Sequence, residues 1–187
     1  MHFLKHGMIG AALLLSACGG TPDLYSVTPP AVTETLRIGF RSVEIRDVSL
    51  PTYAAADEIA LQDDTGKLVT DGQTLWADSP ERAVALELAG NLARLSGARI
   101  ASEPWPFEEL PDARLDVRFE TLLAGAAGQV RASGQYFVAV PDGRRERSGL
   151  FDLSVPFDPA GGPQAIAAAR GQIVLDLAKY LARTGLR

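Results

Sequence analysis

Residues 114–121, RLDVRFET, alternate strictly between two kinds of side chain. Charged residues hold the even positions, and the odd positions are Leu115, Val117, Phe119 and Thr121. Such alternation predicts a β-strand with one face on a core and the other in solvent. Residues 130–140 and 151–155 predict two more strands, after turns at 124–128 and 141–143. Three consecutive strands joined by short turns predict an antiparallel meander.

Weaker strand patterns precede the meander. Residues 36–45 alternate but change parity near Arg41 and Ser42, which predicts a strand with a bulge or bend. Residues 103–107, EPWPF, must form a loop, because two prolines cannot join a strand ladder. Shorter strands are predicted at residues 59–61, 68–70, 74–76 and 98–101.

Two amphipathic helices complete the pattern. The first begins at residues 79–81, SPE, and ends at Gly97. Its apolar stripe is Val84, Leu88, Leu92 and Leu95. The second begins at residues 158–159 or after residues 161–163, and it ends at Gly185. Its apolar stripe is Ile166, Ile173, Val174, Leu177 and Leu181. The predicted fold class is α+β, a two-layer domain in which an antiparallel-rich mixed β-sheet is packed by two amphipathic helices.

The composition limits the possible functions. A chain of 187 residues, 47% of them hydrophobic, suits one globular domain, and a net charge of −5 argues against binding to nucleic acid. All histidines, methionines and cysteines fall in the first eighteen residues: Met1, His2, His6, Met8 and Cys18. If that segment is processed, the working protein has no histidine and no free thiol. We therefore expect no catalytic residues, no metal site and no cofactor.

The first eighteen residues predict an export signal. A basic start precedes an apolar run over residues 7–15, which is too short to span a membrane. Residues 15–18, LSAC, resemble the lipobox of bacterial lipoproteins, in which the chain is cut before the cysteine and the cysteine is acylated. Cys18 is therefore the predicted lipidation site. An ordinary secreted protein with a coincidental cysteine is the alternative.

The predicted organisation has three parts. Residues 1–17 form a lipoprotein signal peptide, residues 18–34 a lipidated N-terminus and tether, and residues 35–187 a single domain. The tether is rich in Gly, Pro, Thr and Ser and would reach about 50 Å when extended. Alternatively, residues 24–27 add a short strand to the domain. Gly19 favours the outer membrane by resemblance to enteric lipoproteins, which carry Asp there when they stay at the inner membrane.

Five residues are candidates for binding a protein partner: Trp76, Trp105, Arg144, Arg145 and Arg147. Both tryptophans lie in predicted loops beside the first helix, where aromatic residues often anchor interfaces. The alternative is that each tryptophan caps the core at one end of that helix. The arginines form a basic cluster on a hairpin, which is either a partner or headgroup patch or a charged edge that discourages aggregation. Paired carboxylates at residues 57–58, 63–64 and 108–109 are interpreted as solvated loop residues.

The order of several short motifs resembles one protein family. After the lipobox come LYSV at residues 24–27, LPTY at 50–53, DEIA at 57–60, WADSP at 76–80, PW at 104–105 and RFE at 118–120, followed by a closing amphipathic helix. Together these features resemble the ABC-type transport auxiliary lipoproteins, the PqiC-like subunits of MCE intermembrane transport systems.

The resemblance implies a function. Such proteins are lipid-anchored at the outer membrane, face the periplasm, and work with an MCE-domain protein and an inner-membrane permease or integral partner. The resemblance thus implies a non-catalytic adaptor that supports lipid transport and envelope integrity, with a homo-oligomeric ring as one form of its assembly. The alternative is a periplasmic lipoprotein that itself carries or receives lipid, which requires an apolar cavity of some hundreds of Å³.

Overall fold

The computed structural model describes residues 20–187, so the predicted signal peptide and Cys18 lie outside the described residues. Three helices are present: α1 Thr52–Ala55, α2 Pro80–Ser96 and α3 Gly162–Arg183. The strands are β1 Asp23–Tyr25, β2 Ser42–Ile45, β3 Leu61–Gln62, β4 Leu68–Val69, β5 Thr74–Trp76, β6 Arg99–Ser102, β7 Ala113–Gly125, β8 Gln129–Ala139 and β9 Arg147–Pro156. This arrangement confirms the predicted α+β class. The single-turn helix α1 was not predicted.

The predicted meander forms the backbone of the sheet. β7, β8 and β9 pair antiparallel in sequence order. On its other side, β7 pairs in parallel with β2 near its beginning and with β3 near its end. β6 extends the sheet beyond β2, and β4 extends it beyond β3. β1 and β5 form a separate parallel ribbon. The sheet is therefore of mixed orientation with an antiparallel centre.

The register of β7 shifts between Phe119 and Thr121, which is a β-bulge. Gly134 of β8 lies opposite this irregularity, and a Cβ atom at that position would overlap the carbonyl oxygen of Arg118. The close approach of the two backbones requires glycine. After the bulge, the buried positions of β7 change from odd to even numbers, so that Leu122 and Ala124 keep facing the core.

The two long helices pack on each other and on one face of the sheet. α2 ends where Gly97 adopts a left-handed conformation (φ 68°) and donates its N–H to the carbonyl of Ala93 at 2.8 Å. A 3₁₀ turn over Pro159–Gly161 precedes α3, so α3 begins at Gly162, between the two predicted starts. The largest fully buried side chains come from both layers: Val43, Ile45, Val84, Leu88, Leu92, Leu95, Leu115, Ile173, Leu175, Leu177, Leu181 and Leu186.

Residues 26–41, here called the N-terminal segment, do not pair in the sheet. A strand over residues 36–45 was predicted, but only Ser42–Ile45 forms one. Leu36 and Ile38 instead pack their side chains on the core, and the N–H of Leu36 donates to the carbonyl of Leu95 at the end of α2. The alternation arises because an extended chain is covered on one side. It does not report a neighbouring strand.

The N-terminal segment follows α3. A Cβ atom on Gly171 would lie 2.7 Å from Val27, and the carboxylate of Glu34 bridges Lys179 and Arg183 further along the helix. The strand predicted as the alternative for residues 24–27 forms at Asp23–Tyr25. Residues 23–34 therefore lie on the domain and do not act as a tether. Four residues, 19–22, separate Cys18 from β1, and the five residue steps from 18 to 23 reach about 17 Å.

The domain has two ends, set by the direction of β7. At the proximal end lie the turn after Gly125, the start of α3 and Gln73, whose carbonyl accepts the N–H of Asp23. At the distal end lie Ala113, the β8–β9 turn and the end of α3. Twelve residue steps along β7 at roughly 3.3 Å each place these ends about 40 Å apart.

Candidate functional site

The loop from Glu103 to Asp112, here called the Trp105 loop, leads into β7 at the distal end. Its conformation is fixed by Trp105, whose backbone N–H donates to Oε1 of Glu44 at 3.1 Å and whose indole N–H donates to the carbonyl of Glu109 at 2.6 Å. The ring of Phe107 meets the Trp105 ring edge-on, with 4.9 Å between centroids. The loop therefore has a fixed shape despite its length.

Glu44 on β2 connects this loop to the sheet. Its carboxylate is buried, and while Oε1 accepts from Trp105, Oε2 accepts from Nε of Arg114 on β7 at 2.8 Å. Both oxygens are thus satisfied, which removes the cost of burying the charge alone. The sequence did not single out Glu44, because an acid in a short strand ordinarily faces solvent.

Beyond Trp105, the loop presents apolar side chains to solvent. Phe107 is 44% exposed and Leu110 is 70% exposed. Arg99 of β6 places its guanidinium 5.0 Å from the centre of the Phe107 ring. Aromatic and arginine side chains on a rigid support are typical anchors of protein interfaces. Of this group the sequence predicted Trp105 alone, because Phe107 and Leu110 show no periodicity.

The three predicted arginines also lie at the distal end. Arg145 donates to the carbonyl of Gly39 at 3.2 Å and stacks on Phe40, and Arg147 donates to the carbonyl of Thr184 at 3.1 Å. Thr184 caps α3, so the charge of Arg147 offsets the negative end of the helix dipole. Both side chains are fixed to the domain surface and remain exposed, as does Arg144. The distal end is therefore basic near the β8–β9 turn.

Trp76 occupies a different environment, in the proximal half of the domain. The guanidinium of Arg170 on α3 lies 4.4 Å from the centre of its ring. Arg170 is 5% exposed and donates to Oε1 of Glu87 on α2 at 2.8 Å. Burial raises the pKa of Glu87, and the charge of Arg170 partly offsets this effect. Trp76 thus packs on the core over a buried ion pair, and its role in binding a partner stays a prediction.

The Arg170–Glu87 pair was not predicted from the sequence, although a signal was present. Arg170 lies four residues after Ile166 and three before Ile173, on the apolar stripe of α3. A charged residue at a core position needs a buried partner. Nε of Arg170 and Oε2 of Glu87 have no hydrogen-bond partner within the described residues.

Among the paired carboxylates, Asp63 has a structural role. Asp63 accepts hydrogen bonds from the backbone and hydroxyl of Thr65 and from the backbone of Lys67, so it holds its own turn together. These hydrogen bonds, the Thr65 hydroxyl first, lower the pKa of Asp63. Within residues 20–187, no group of three or more His, Cys, Asp or Glu side chains could hold a metal ion. In the same range, no helix has the length and apolar character needed to cross a membrane.

Several solved structures are similar to this chain, to different degrees. One is the crystal structure of an uncharacterized protein, with 18% identity, a TM-score of 0.69, and coverage of 88% of this chain and 98% of that one. A second, from Xanthomonas campestris and the family DUF330, has 14% identity, a TM-score of 0.63, and coverage of 87% and 96%. The PelC dodecamer from Paraburkholderia phytofirmans is more distant, at 11% identity and a TM-score of 0.45 over 87% of this chain and 100% of that one.

No curated protein matches the sequence. Residues 25–182, however, match the family described as the ABC-type transport auxiliary lipoprotein component. The match begins at the last residue of β1 and ends one residue before the end of α3, so it covers both layers of the domain. The chain therefore belongs to the ABC-type transport auxiliary lipoprotein family.

Proposed function

We propose that this protein is a non-catalytic adaptor of an MCE-type intermembrane lipid transport system. In this proposal it is anchored in the outer membrane through acylated Cys18, after removal of residues 1–17, and it faces the periplasm. The family assignment supports a role as an auxiliary lipoprotein of transport. One observation supports the more specific proposal. The chain leaves the domain toward Cys18 at the proximal end, whereas the exposed apolar and arginine side chains lie at the distal end.

The proximal end is the side from which an anchor would act. Gly20 lies beside Gln73, and a Cβ atom on Gly20 would be 3.8 Å from the Gln73 amide oxygen. Cys18 is two residues earlier in the chain. An acyl anchor at this position holds the proximal end within about 17 Å of the bilayer, because only five residues precede β1.

The distal end then projects about 40 Å further into the periplasm. It carries Phe107 and Leu110 of the Trp105 loop, together with the arginines of the β8–β9 turn. An apolar centre with arginine at its rim is the usual composition of a protein-binding surface. We therefore assign the distal end to the MCE-domain partner, which is itself rooted in the inner membrane with a permease or integral partner.

The remaining features are consistent with an adaptor. A net charge of −5 does not suit nucleic acid, and Asp63 and Glu34 are held in a turn and in ion pairs. A homo-oligomeric ring is part of the proposal, since a ring would present several distal ends to one conduit. We also propose that the domain begins at β1 and not at residue 35, because β1 pairs with β5 and the N-terminal segment packs on α3.

The test is co-purification of the MCE-domain partner with the full-length tagged protein. We expect Phe107→Asp to reduce the recovered partner by about tenfold or more, because a charge would be placed at the centre of the surface. Leu68→Asp is the matched control: Leu68 is 38% exposed, comparable to Phe107, but lies at the proximal end. The control should recover the partner as the wild type does.

Two results would overturn the proposal. Equal recovery of the partner with wild type and Phe107→Asp would show that the distal surface does not bind it. Loss of the partner only with Leu68→Asp would place the binding surface at the proximal end. The anchor is tested separately by Cys18→Ala, which should move the protein from the membrane fraction to the soluble fraction. Retention of the variant in the membrane fraction would contradict anchoring through Cys18.

A further inference from the structure

An apolar groove lies at the proximal end, between the β3–β4 hairpin and the start of α3. Its volume is about 230 Å³. Core residues form its floor, and the hairpin and the segment before α3 form its walls. Its apolar lining includes six large side chains: Ile59, Leu61, Val69, Phe157, Pro163 and Ile166. Val69 is 43% exposed, so the groove opens to solvent along the hairpin.

The chemistry of the lining suits a hydrocarbon chain. Of the twelve residues that line the groove, the polar ones are Thr70, Asp71 and Thr74, which are close together in the chain. A ligand in the groove would therefore meet polar groups on one side and hydrocarbon elsewhere. If one methylene occupies roughly 30 Å³, the volume of one water molecule in the liquid, the groove holds about eight methylenes. That is the distal half of a common membrane acyl chain.

The charge at the polar side selects the headgroup. Asp71 accepts hydrogen bonds at Oδ1 from the backbone N–H groups of Gln73 (2.9 Å) and Thr74 (2.8 Å), and at Oδ2 from the Thr74 hydroxyl (2.7 Å). These bonds, the hydroxyl first, lower its pKa and keep the carboxylate ionised at neutral pH. None of the residues lining the groove is cationic. The site therefore disfavours a free fatty acid or an anionic headgroup and favours one that carries an ammonium group.

The groove lies where the chain approaches the membrane. Asp23 pairs with Thr74 in the β1–β5 ribbon, and Thr74 lines the groove. The proposed anchor at Cys18 thus holds the groove close to the bilayer, and this step rests on the anchoring proposed above. Membrane phospholipid is consequently the acyl compound present at high local concentration beside the opening.

We propose that this groove binds one acyl chain of a phospholipid whose headgroup carries an ammonium, as in phosphatidylethanolamine. This activity goes beyond docking, because it gives the protein a lipid contact of its own at the end opposite the partner surface. The bound chain enters from the bilayer side, and its headgroup lies beside Asp71.

The test is photolabelling of the full-length protein in vesicles of phosphatidylethanolamine and phosphatidylglycerol. One preparation contains a trace of phosphatidylethanolamine with a diazirine near the end of one acyl chain, and the other contains phosphatidylglycerol with the same chain. After irradiation, labelled peptides are mapped by mass spectrometry. We expect the first probe to label peptides containing residues 59–61, 69 and 157–166 about fivefold more than the second.

Adjacent alanines in the β7–β8 turn provide a matched pair of variants. Ala126 lines the groove and Ala127 is exposed outside it. Ala126→Phe should reduce labelling of the groove peptides about fivefold by filling the space, while Ala127→Phe should leave it unchanged. Val69→Asp and Leu68→Asp form a second pair on β4, since Leu68 does not line the groove. This pair keeps the test valid if Ala126→Phe does not fold.

Several outcomes would overturn the inference. Equal labelling in both variants of a pair would show that the groove is not the binding site. Equal labelling by both probes would show that Asp71 does not select an ammonium headgroup. Labelling of Cys18→Ala but not of the wild type would show that the protein's own acyl chain occupies the groove. Flotation of the vesicles reports anchoring independently, and protein that does not float is labelled in detergent micelles that contain the same probes.

Discussion

The two tryptophans of this protein lie in opposite halves of the domain and meet opposite surroundings. Trp76 packs over Arg170, whose charge is buried with Glu87 between the two long helices. Trp105 is held by hydrogen bonds in a surface loop, next to the exposed Phe107. These surroundings indicate that Trp76 serves the stability of the fold, and they agree with the proposed role of Trp105 in recognition. Residue type alone does not distinguish these roles, because the difference lies in what each ring contacts.

The largest effect on stability is expected from removing the charge under Trp76. Arg170→Met leaves Glu87 buried without its counter-charge, which we expect to lower the free energy of unfolding by about 3–5 kcal/mol. Urea denaturation at neutral pH measures the loss. The double variant Arg170→Met with Glu87→Met is the control, and it should recover most of the stability because no buried charge remains.

The same variant makes a prediction about pH. Burial already raises the pKa of Glu87, and without Arg170 the pKa rises further. A carboxyl whose pKa is raised in the folded state contributes stability below its unfolded pKa and loses that contribution as the pH rises through the folded value. The destabilisation of Arg170→Met should therefore shrink on acidification. A loss of stability that is constant from neutral to acidic pH would contradict the buried charge.

The second prediction compares the tryptophans directly. Trp76→Ala removes a ring that packs on the core and on Arg170, and we expect a loss of about 2–3 kcal/mol in the free energy of unfolding. Trp105→Ala removes the edge contact with Phe107 and one hydrogen bond in the loop, with an expected loss of about 1 kcal/mol. Similar losses of unfolding free energy in the two variants would show that the two tryptophans contribute equally to stability.

The third prediction concerns recognition. Trp105→Ala should weaken co-purification of the proposed MCE-domain partner by about tenfold, because the loop loses the side chain that fixes its shape. Trp76→Ala, measured at a temperature where it stays folded, should bind the partner as the wild type does. If Trp76→Ala binds weakly and Trp105→Ala binds normally, the partner surface lies in the proximal half.

The fourth and smallest effect tests whether the N-terminal segment belongs to the stable half. Hydrogen bonding from Lys179, and then the charges of Arg183 and Lys179, hold the pKa of Glu34 below its usual 4.5. A lowered pKa means that this contact is present above that value and is lost as the pH falls through the lowered one. Hydrogen exchange at the Leu36 amide, corrected for intrinsic rates, should therefore speed up only once the pH has fallen below the usual carboxyl value of 4.5.

Glu34→Gln is the matching variant. It should show the faster exchange at neutral pH and should lose the pH dependence, whereas Glu108→Gln in the exposed Trp105 loop should behave as the wild type. Exchange at Leu36 that is insensitive to both pH and Glu34→Gln would show that the apolar contacts alone hold the segment in place.

Local patterns were sufficient for much of this fold. The strand at residues 74–76, the helix from Pro80 to Gly97 and the meander were predicted because each is marked by its own periodicity and turn residues. The strand predicted at residues 36–41 was wrong, because alternating apolar residues show only that one side of the chain is buried. They do not show whether a strand or a helix covers that side. The parallel pairing of β2 with β7 joins residues about seventy positions apart, which no local pattern records.

The candidate site was less predictable. Trp105 was identified from residue type, but its neighbours Phe107 and Leu110 have no spacing that marks them. The buried pair of Arg170 and Glu87 comes from two helices that meet only after folding. The position of Arg170 on an apolar stripe was a usable signal. The groove at the proximal end combines a hairpin, a turn and a helix start, so its existence depends on tertiary packing.

The path of the N-terminal segment has a mechanical consequence. An anchor at the proximal end and a partner at the distal end would load the molecule along its long axis. The first contacts to break under tension would be the three-residue β1–β5 ribbon and the ion pairs of Glu34, because the meander is held by much longer strand ladders. Residues 23–41 measure about 60 Å when extended, but they already span the roughly 40 Å between the two ends of the domain, so peeling them off would add about 20 Å between anchor and partner. In the proposed function, release of the segment would therefore let the protein follow a changing distance between the two membranes.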